Sequence, residues 1–324
     1  MDGLKERWKY ILKSTGKRAV SVISIVLGIT FIAFSLSYLC PGDPITLQLE
    51  AMGVAPTEEI VSAMKADKGL DKPFLVQYGN WVKGLVTGDL GTSVVTGGKI
   101  SDDMFRYLPD TLLLTFVSLL TTMAVSIVLG ILCAVYANSI LDYVIRFITY
   151  FFAAFPNFFL ALLMLWFFGI SLGWFPIIAS EHSGGMVMPV MLLTLVISAS
   201  YTRQIRAIVL EQLSSDYIAG CKARGVPFKT ILFKHVLRNS LVPIITMVGI
   251  SFGGMLGGTA IVENIFTWRG MGLYAIKSIQ KLDYTVIQAY VAWMSVIYLA
   301  VNLMVDIVCA MANPRTRSLA EEEA

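Results

Sequence analysis

The sequence predicts an all-α integral membrane protein with six transmembrane helices and both termini in the cytoplasm. Composition is the first reason. Mean hydropathy is +0.72, 56% of residues are hydrophobic and 15% are charged, whereas water-soluble domains are about a quarter charged. The second is the spacing of apolar runs. A spanning helix takes about 20 mostly apolar residues, and six stretches qualify: Ala19–Leu39, Thr111–Tyr136, Ile145–Leu172, Met186–Val209, Leu241–Val262 and Val286–Met311. The third is the placing of Lys and Arg, which sets orientation. Lys5, Arg7, Lys9, Lys13, Lys17 and Arg18 precede the first run. Arg146, Arg203, Arg206, Lys222, Arg224, Lys229, Lys234, Arg238, Arg315 and Arg317 fall on the same side of a six-span chain, and the short loop Gly173–Gly185 has neither residue type.

The first run follows a basic start, as the core of a signal peptide would. It is too long for that role, no A-x-A site follows, and Leu39 before Cys40 does not suit lipoprotein cleavage, so it is expected to stay as a helix. Pro41-Gly42-Asp43-Pro44 ends it. A long outer loop follows, to about residue 109. In it Thr57 is a candidate N-cap, with Glu58 and Glu59 favoured at the positive helix end. Tyr78 and Trp81 mark an interfacial helix, and Gly88-Asp89-Leu90-Gly91 and Gly97-Gly98 mark turns. The third run holds Pro156, which is expected to kink, tilt or break it. Cys40, Cys133, Cys221 and Cys309 form no C-x-x-C pair, and His182 and His235 fall on opposite sides of the membrane. Neither a disulfide nor a shared metal site is therefore expected.

Ionisable groups inside a bilayer are costly and usually functional. Asp142, Arg146, Arg203, Arg206 and Asp306 stand near inner ends of runs, and Glu263 near the outer end of the fifth. Snorkelling or a local pair is expected for each, rather than substrate contact. A carrier coupled to protons or sodium often needs a buried carboxylate or broken helices at the midplane. A multi-pass membrane enzyme needs an acid, base or metal constellation. Both are the rival readings, and neither pattern is visible here. The fifth run carries Gly249, Gly253, Gly254, Gly257 and Gly258 at G-x-x-x-G spacings. Such a face lets another helix approach closely, within the subunit or from a partner, and suits a pathway-lining position.

The most informative stretch is Asp216–Pro243, DYIAGCKARGVPFKTILFKHVLRNSLVP, between two long apolar runs. It reads as a helix, a turn at Gly225-Val226-Pro227 and a second helix, all outside the bilayer. Ala219, Ala223 and Gly225 are small, while Tyr217, Ile218, Phe228 and Leu232 are large and apolar, with Lys222, Arg224 and Lys229 flanking. Small residues beside a glycine-centred turn let a short helix seat in a cleft of another protein. The alternative is a helix lying on anionic lipid, which the central break disfavours. Gly225 is expected at positive φ, open to glycine without strain, and Ala223 at the docking cleft.

At these residues the chain resembles the first permease of the peptide/nickel group of ATP-binding-cassette importers. That group shows D-Y-[IV]-x-x-A-x-A-x-G and then H-x-L-R-N-x-L-x-P. Here stand Asp216-Tyr217-Ile218, Ala223 and Gly225, then His235-Val236-Leu237-Arg238-Asn239-Ser240-Leu241-Val242-Pro243. Pro41-Gly42-Asp43-Pro44, Gly88-Asp89-Leu90-Gly91, Glu263-Asn264-Ile265-Phe266-Thr267-Trp268 and Asp283-Tyr284 with Val286-Ile287-Gln288 agree as well. Arg269 stands where the group usually has Pro, and Ala312-Asn313-Pro314-Arg315 replaces L-D-P-R.

The resemblance implies a type I importer permease fold. Residues 1–109 would form an N-terminal segment, first span and outer loop, 110–311 a permease domain with its coupling loop at 211–240, and 312–324 a cytoplasmic tail. Asp216, Tyr217, Ala219, Lys222, Ala223, Arg224, Gly225, Pro227, His235, Arg238 and Asn239 would meet the ATPase. Gly249, Gly253, Gly254, Gly257 and Gly258 would line the pathway, and Glu263, Asn264 and Trp268 the outer loop. The implied partners are a second permease, two ATP-binding subunits, an extracytoplasmic solute-binding protein and the lipid bilayer. ATP and Mg would be held by those subunits, since this chain lacks G-x-x-x-x-G-K-[ST]; no cofactor or metal is expected here. The solute is a di- or oligopeptide, nickel or a metal chelate. The short loop before the fourth run, Pro156-Asn157-Phe158 and Glu263-Asn264-Ile265-Phe266 lean toward nickel; the absence of a His or Cys cluster in the runs leans against a bare ion.

Overall fold

The computed structural model describes residues 23–40, 43–51, 53–67, 69–181 and 184–312. The N-terminal basic run, Pro41-Gly42, His182, Asn313-Pro314-Arg315 and the acidic tail lie outside the described residues. The described chain is helical, with an isolated bridge between Thr92 and Lys99. Its helices are α1 (Ile23–Leu39), α2 (Pro44–Ala51), α3 (Glu58–Asp67), α4 (Phe74–Thr87), α5 (Ile100–Val135) and α6 (Ile140–Ala154). Then come α7 (Asn157–Ser171), α8 (Val187–Leu213), α9 (Asp216–Ala223), α10 (Phe228–Ile265), α11 (Met271–Gln280) and α12 (Tyr284–Ala312).

Three of these, α5, α10 and the Tyr284–Met304 part of α12, are long and apolar enough to cross a membrane, and a fourth crossing results if α6 and α7 together make one. The described residues therefore support several membrane-crossing helices, fewer than the six runs read in the sequence. The described part of α1 is short, and α8 carries Arg203, Arg206 and Glu211 among the further polar residues of its second half. The third run is broken rather than merely kinked: α6 and α7 meet at 98°. Phe155 and Pro156 are both extended there, at ψ 142 and 138. The proline disfavours the helical region for the residue before it, and its ring occludes the preceding turn.

The chain divides into two compact units, Met1–Tyr107 with Tyr274–Leu299, and Leu108–Leu273 with Ala300–Ala324. In the first, α4 packs on α1. Phe31, Phe34 and Tyr38 meet Phe74, Tyr78 and Trp81 edge to face or tilted, at 5.1–6.0 Å between centroids. The Tyr78 hydroxyl also donates to the Leu27 carbonyl at 3.1 Å. The aromatics read as interfacial thus have a packing role as well, because a ring with a polar tip satisfies both neighbours. Asp283 joins Ser93 at 2.5 Å and accepts from the Val286 amide, capping α12.

Asp43 shapes the start of the outer segment. It accepts from the Ile45 amide at 3.2 Å and the Thr46 hydroxyl at 3.0 Å, and pairs with Lys65 of α3 at 2.8 Å. Burial pushes its carboxyl up, but the Lys65 ammonium with those two donors outweighs this and holds it below its ordinary 3.8. A lowered pKa stabilises the folded form above the unfolded value and loses that contribution as pH falls through the folded one. Amide protection in α2 and α3 is therefore expected to fall on acidification below about 3.8. Asp43→Asn should abolish that acid step in hydrogen exchange; an unchanged step would assign it to another carboxylate.

The second unit holds a continuous apolar core that includes Leu114, Met188, Leu192, Ile205, Ile231 and Phe266. Within it α5 approaches α8 so closely that a side chain on Gly130 would come within 2.7 Å of Ile205. Asp142, in the first turn of α6, is fully buried. It takes a bidentate pair from Arg206, Nε to Oδ1 at 2.9 Å and Nη2 to Oδ2 at 2.8 Å, together with the Asn138 amide at 3.0 Å. Its place near an inner end is thus explained by a local pair between α6 and α8.

Candidate functional site

The Asp216–Pro243 stretch folds as α9, a reversal and the start of α10. Asp216 lies in the first turn of α9 and Lys222 in the last, each complementing the helix dipole. Ile218 and Cys221 point inward and are buried. Asp216, Tyr217, Ala219, Lys222 and Ala223 are exposed, so the small residues Ala219 and Ala223 stand on the outward face of α9 among charged and aromatic neighbours. Gly225 has φ 73, and a Cβ built on it meets nothing within 4 Å. Its conformation, not crowding, is what calls for glycine. The turn closes through Gly225 N to Lys222 O at 2.9 Å and Val226 N to Cys221 O at 3.1 Å, and Pro227 starts the next helix in extended conformation.

The second helix of the stretch is not separate from the apolar run that follows it. It runs without interruption from Phe228 to Ile265, with a widened π turn at Ile231–Val236 and Pro243 inside it. No breaker stands between Phe228 and Val242, so nothing ends the helix before the apolar run begins. His235 is half-buried, and Arg238 and Asn239 are exposed. The loop is tied across its width: the Asn239 amide donates to the Tyr217 hydroxyl at 3.1 Å, and that hydroxyl donates to Gln212 at 2.9 Å. Arg224 turns back onto its own helix, its Nε donating to the Gly220 carbonyl at 3.2 Å.

Between α7, α8 and α10 lies a cavity of about 640 Å³. Leu192, Val196, Met247 and Met255 give it apolar walls, and Asn157, Tyr201, Gln204, Thr246 and Ser251 bring polar groups. Gly254 and Gly258 also line it. A Cβ on Gly254, Gly257 or Gly258 would meet open space, while Gly249 and Gly253 are buried. The glycines of this helix therefore divide between a packed side and an open side. Sequence reading missed Tyr201 and Gln204, which stand in the polar stretch Ser198-Ala199-Ser200-Tyr201-Thr202-Arg203-Gln204 at the end of an apolar run.

The outer-loop residues form a different arrangement. Glu263 is fully buried, takes the Thr111 hydroxyl at 2.7 Å, and takes the Gly272 and Leu273 amides at 2.7 and 3.2 Å. It therefore joins the interior of α5 and the end of α10 to the first turn of α11. Trp268 Nε1 donates to the Asp110 carbonyl at 3.0 Å, and Arg269 Nε reaches the Asp110 carboxylate at 3.3 Å. Arg269 thus holds this loop by an ion pair. Asn264 is half-buried beside them.

Residues 126–318 match the family model for the binding-protein-dependent transport system inner membrane component, and residues 11–115 match the N-terminal model of the same systems. The chain belongs to this family. It is 35% identical to the oligopeptide transport system permease protein AppB of Bacillus subtilis, over 92% of this chain and 97% of that one. It is 32% identical to the dipeptide transport system permease protein DppB of Alkalihalophilus pseudofirmus, over 93% and 98%. It is also 32% identical to the glutathione transport system permease protein GsiC of Salmonella choleraesuis, over 93% and 97%. A chain of the MetNI methionine ABC transporter, solved in inward-facing conformations, shares the fold at TM-score 0.56 and 18% identity, covering 65% of this chain and 96% of that one. The protein is a permease subunit of the ATP-binding-cassette importer class and a multi-pass protein of the cell membrane. The matched relatives are transport permeases rather than enzymes.

Proposed function

We propose that this chain forms half of the pathway of an ATP-driven importer of short peptides, and that α9 receives the push of partner ATPases. One observation carries the mechanism. The cavity has α8 and α10 as walls, and these two helices run directly into the two ends of the α9 turn. Force applied to the exposed α9 face therefore acts on both walls together. ATP and Mg belong to the ATPase subunits, a solute-binding protein delivers solute from outside, and a second permease completes the pathway beside the open face of Gly254, Gly257 and Gly258. On this reading residues 1–109 form the N-terminal segment, 110–311 the permease domain with coupling at 211–240, and 312–324 the tail.

The substrate reading rests on the relatives, whose names give oligopeptide, dipeptide and glutathione, in preference to nickel. A cavity with apolar walls and scattered amides and hydroxyls suits a peptide backbone with varied side chains. Uptake by the assembled complex is the test. Labelled dipeptide should accumulate and labelled nickel should not, and uptake should stop when the ATPases are catalytically dead. Uptake that survives dead ATPases but collapses with an ionophore would identify a secondary carrier.

The proposed topology has six spans with both termini inside, on the charge bias. Single cysteines at Ile60 and Lys222, both exposed, test it. Position 60 should react with an impermeant reagent in intact cells, and position 222 only after permeabilisation. Labelling of position 222 from outside would overturn the orientation.

A further inference from the structure

A second cavity, also of about 640 Å³, opens in the first unit. It lies where the C-terminal end of α1, the middle of α4 and the first residues of α12 come together, with Asp43 and Lys65 in its wall. Its size is that of a small-ligand site, roughly 300–1,000 Å³. All its lining residues belong to the first unit, and all those of the α7–α8–α10 cavity to the second. On the proposed topology, the end of α1 and the start of α12 lie on the side from which solute arrives.

The wall holds polar groups that the fold uses only in part. Gln77 is 9% exposed, and its Nε2 donates to the Leu70 and Lys72 carbonyls at 3.0 and 2.7 Å. This ties down the turn before α4 and leaves the side-chain oxygen as an acceptor. The amides of Asn80 and Gln288 and the hydroxyls of Thr92 and Thr285 make no hydrogen bond among the described residues. Phe34 and Trp81, 6.0 Å apart between centroids, add aromatic surface. Groups that both donate and accept, set beside rings, suit a ligand with amides and an apolar side chain.

Lys65 supplies the charge. Its ammonium meets Asp43 Oδ2 at 2.8 Å, and Asp43 also takes the Ile45 amide and the Thr46 hydroxyl. Asp43 is therefore engaged within the wall. An ammonium has three protons. The Asp43 contact uses one, and the Lys65 side chain remains 39% exposed. The carboxylate thus holds the ammonium in place while two donors are left for an anion.

We infer that this cavity is a second solute site, which takes a short peptide with its terminal carboxylate on Lys65, its backbone amides on Gln77, Asn80 and Gln288, and an apolar side chain against Phe34 and Trp81. The carboxylate and amides follow from the chemistry of the wall; the choice of a peptide rests on the importer reading above.

Cys40 is exposed and lines the cavity, so its reactivity reports occupancy. The full-length permease in detergent is treated with N-ethylmaleimide in rising concentrations of alanyl-phenylalanine, and modification of Cys40 is read by peptide mapping. The dipeptide should slow modification saturably. Its C-terminal amide, which lacks the carboxylate, should need roughly tenfold to a hundredfold more for the same protection, the range for one charge-assisted hydrogen bond. In Lys65→Met the acid should weaken by that factor and protect no better than the amide, while Lys65→Arg should keep the preference for the acid. Gln288→Leu and Trp81→Leu, on other helices, should each weaken protection several-fold and keep the test open if Lys65→Met does not fold. Lys83→Met, on the exposed side of α4 and outside the cavity wall, should change nothing. Equal protection by acid and amide in the parent chain would overturn the site, as would full protection in Gln288→Leu and Trp81→Leu. An equal loss in Lys83→Met would show non-specific charge attraction and overturn it too. An assembled complex that accumulates the dipeptide while Cys40 stays unprotected would reject this site and leave the importer reading standing. Protection in a complex that accumulates no dipeptide would uphold the site and remove that reading.

Discussion

Arg206→Met is expected to cost this protein about 3–5 kcal/mol, the range for leaving one member of a buried ion pair uncompensated. Asp142 is 0% exposed and Arg206 is 19% exposed at its side chain, so solvent screens little of the interaction. The substitution keeps the length of the side chain and removes two hydrogen bonds, at 2.9 and 2.8 Å. Arg146, 3.6 Å away, would recover part of the loss, and Arg146→Gln with Arg206→Met should therefore be worse than either change alone. Asp142→Asn with Arg206→Met should recover most of the stability. The neutral amide keeps an oxygen for the Asn138 amide, and no buried charge remains. The measurement is the midpoint of thermal unfolding in detergent, followed by the loss of monodisperse protein. If the neutral pair melts as early as Arg206→Met, the loss is one of packing between α6 and α8, and the ion pair is not what holds them.

That pair shows how far the sequence could be read. Asp142 and Arg206 stand out as ionisable residues near run ends, for which snorkelling or a local pair is expected, but their separation in the chain gives no register between α6 and α8. The helical class was legible because apolar run length is a one-dimensional property. The break after Ala154 was half legible: Pro156 announces a disturbance, yet the 98° angle depends on what each half packs against. The continuity of α10 was hidden by the change from a basic to an apolar composition at about Leu241, which looks like a boundary although nothing interrupts the backbone there. Four buried hydroxyls of α5, on Thr115, Ser118, Thr122 and Ser126, have no hydrogen-bond partner among the described residues. They fall on one helical stripe inside what hydropathy scores as a plain span. The turn after α9 was the most legible part of the candidate site, because Gly225-Val226-Pro227 is local chemistry, and the reversal needs no tertiary information. The cavity was the least legible, since it joins residues of three helices by their packing alone.

Substitutions in that turn should separate folding from coupling. Ala223 is exposed, so Ala223→Trp meets no obstacle within the chain, and the isolated permease should insert and unfold as the parent does. If α9 seats in an ATPase cleft, the indole overpacks that contact at about 1–3 kcal/mol, a loss of roughly tenfold to a hundredfold in association. Gly225→Val acts differently. There is open space around its Cβ, but φ is 73, and a β-branched residue in the left-handed region costs about 1–3 kcal/mol of backbone strain. Asn adopts that region far more readily, so Gly225→Asn should couple nearly as the parent while Gly225→Val should not. The readouts are co-purification of the ATPase subunits and the ratio of ATP hydrolysed to solute taken up. Ala63→Trp, on the exposed side of α3, is the control and should leave ATPase binding intact. Normal assembly and transport by both Ala223→Trp and Gly225→Val would mean that α9 does not transmit the ATPase stroke. An equal defect in Gly225→Val and Gly225→Asn would assign the loss to the side chain at the interface instead of to the geometry of the turn.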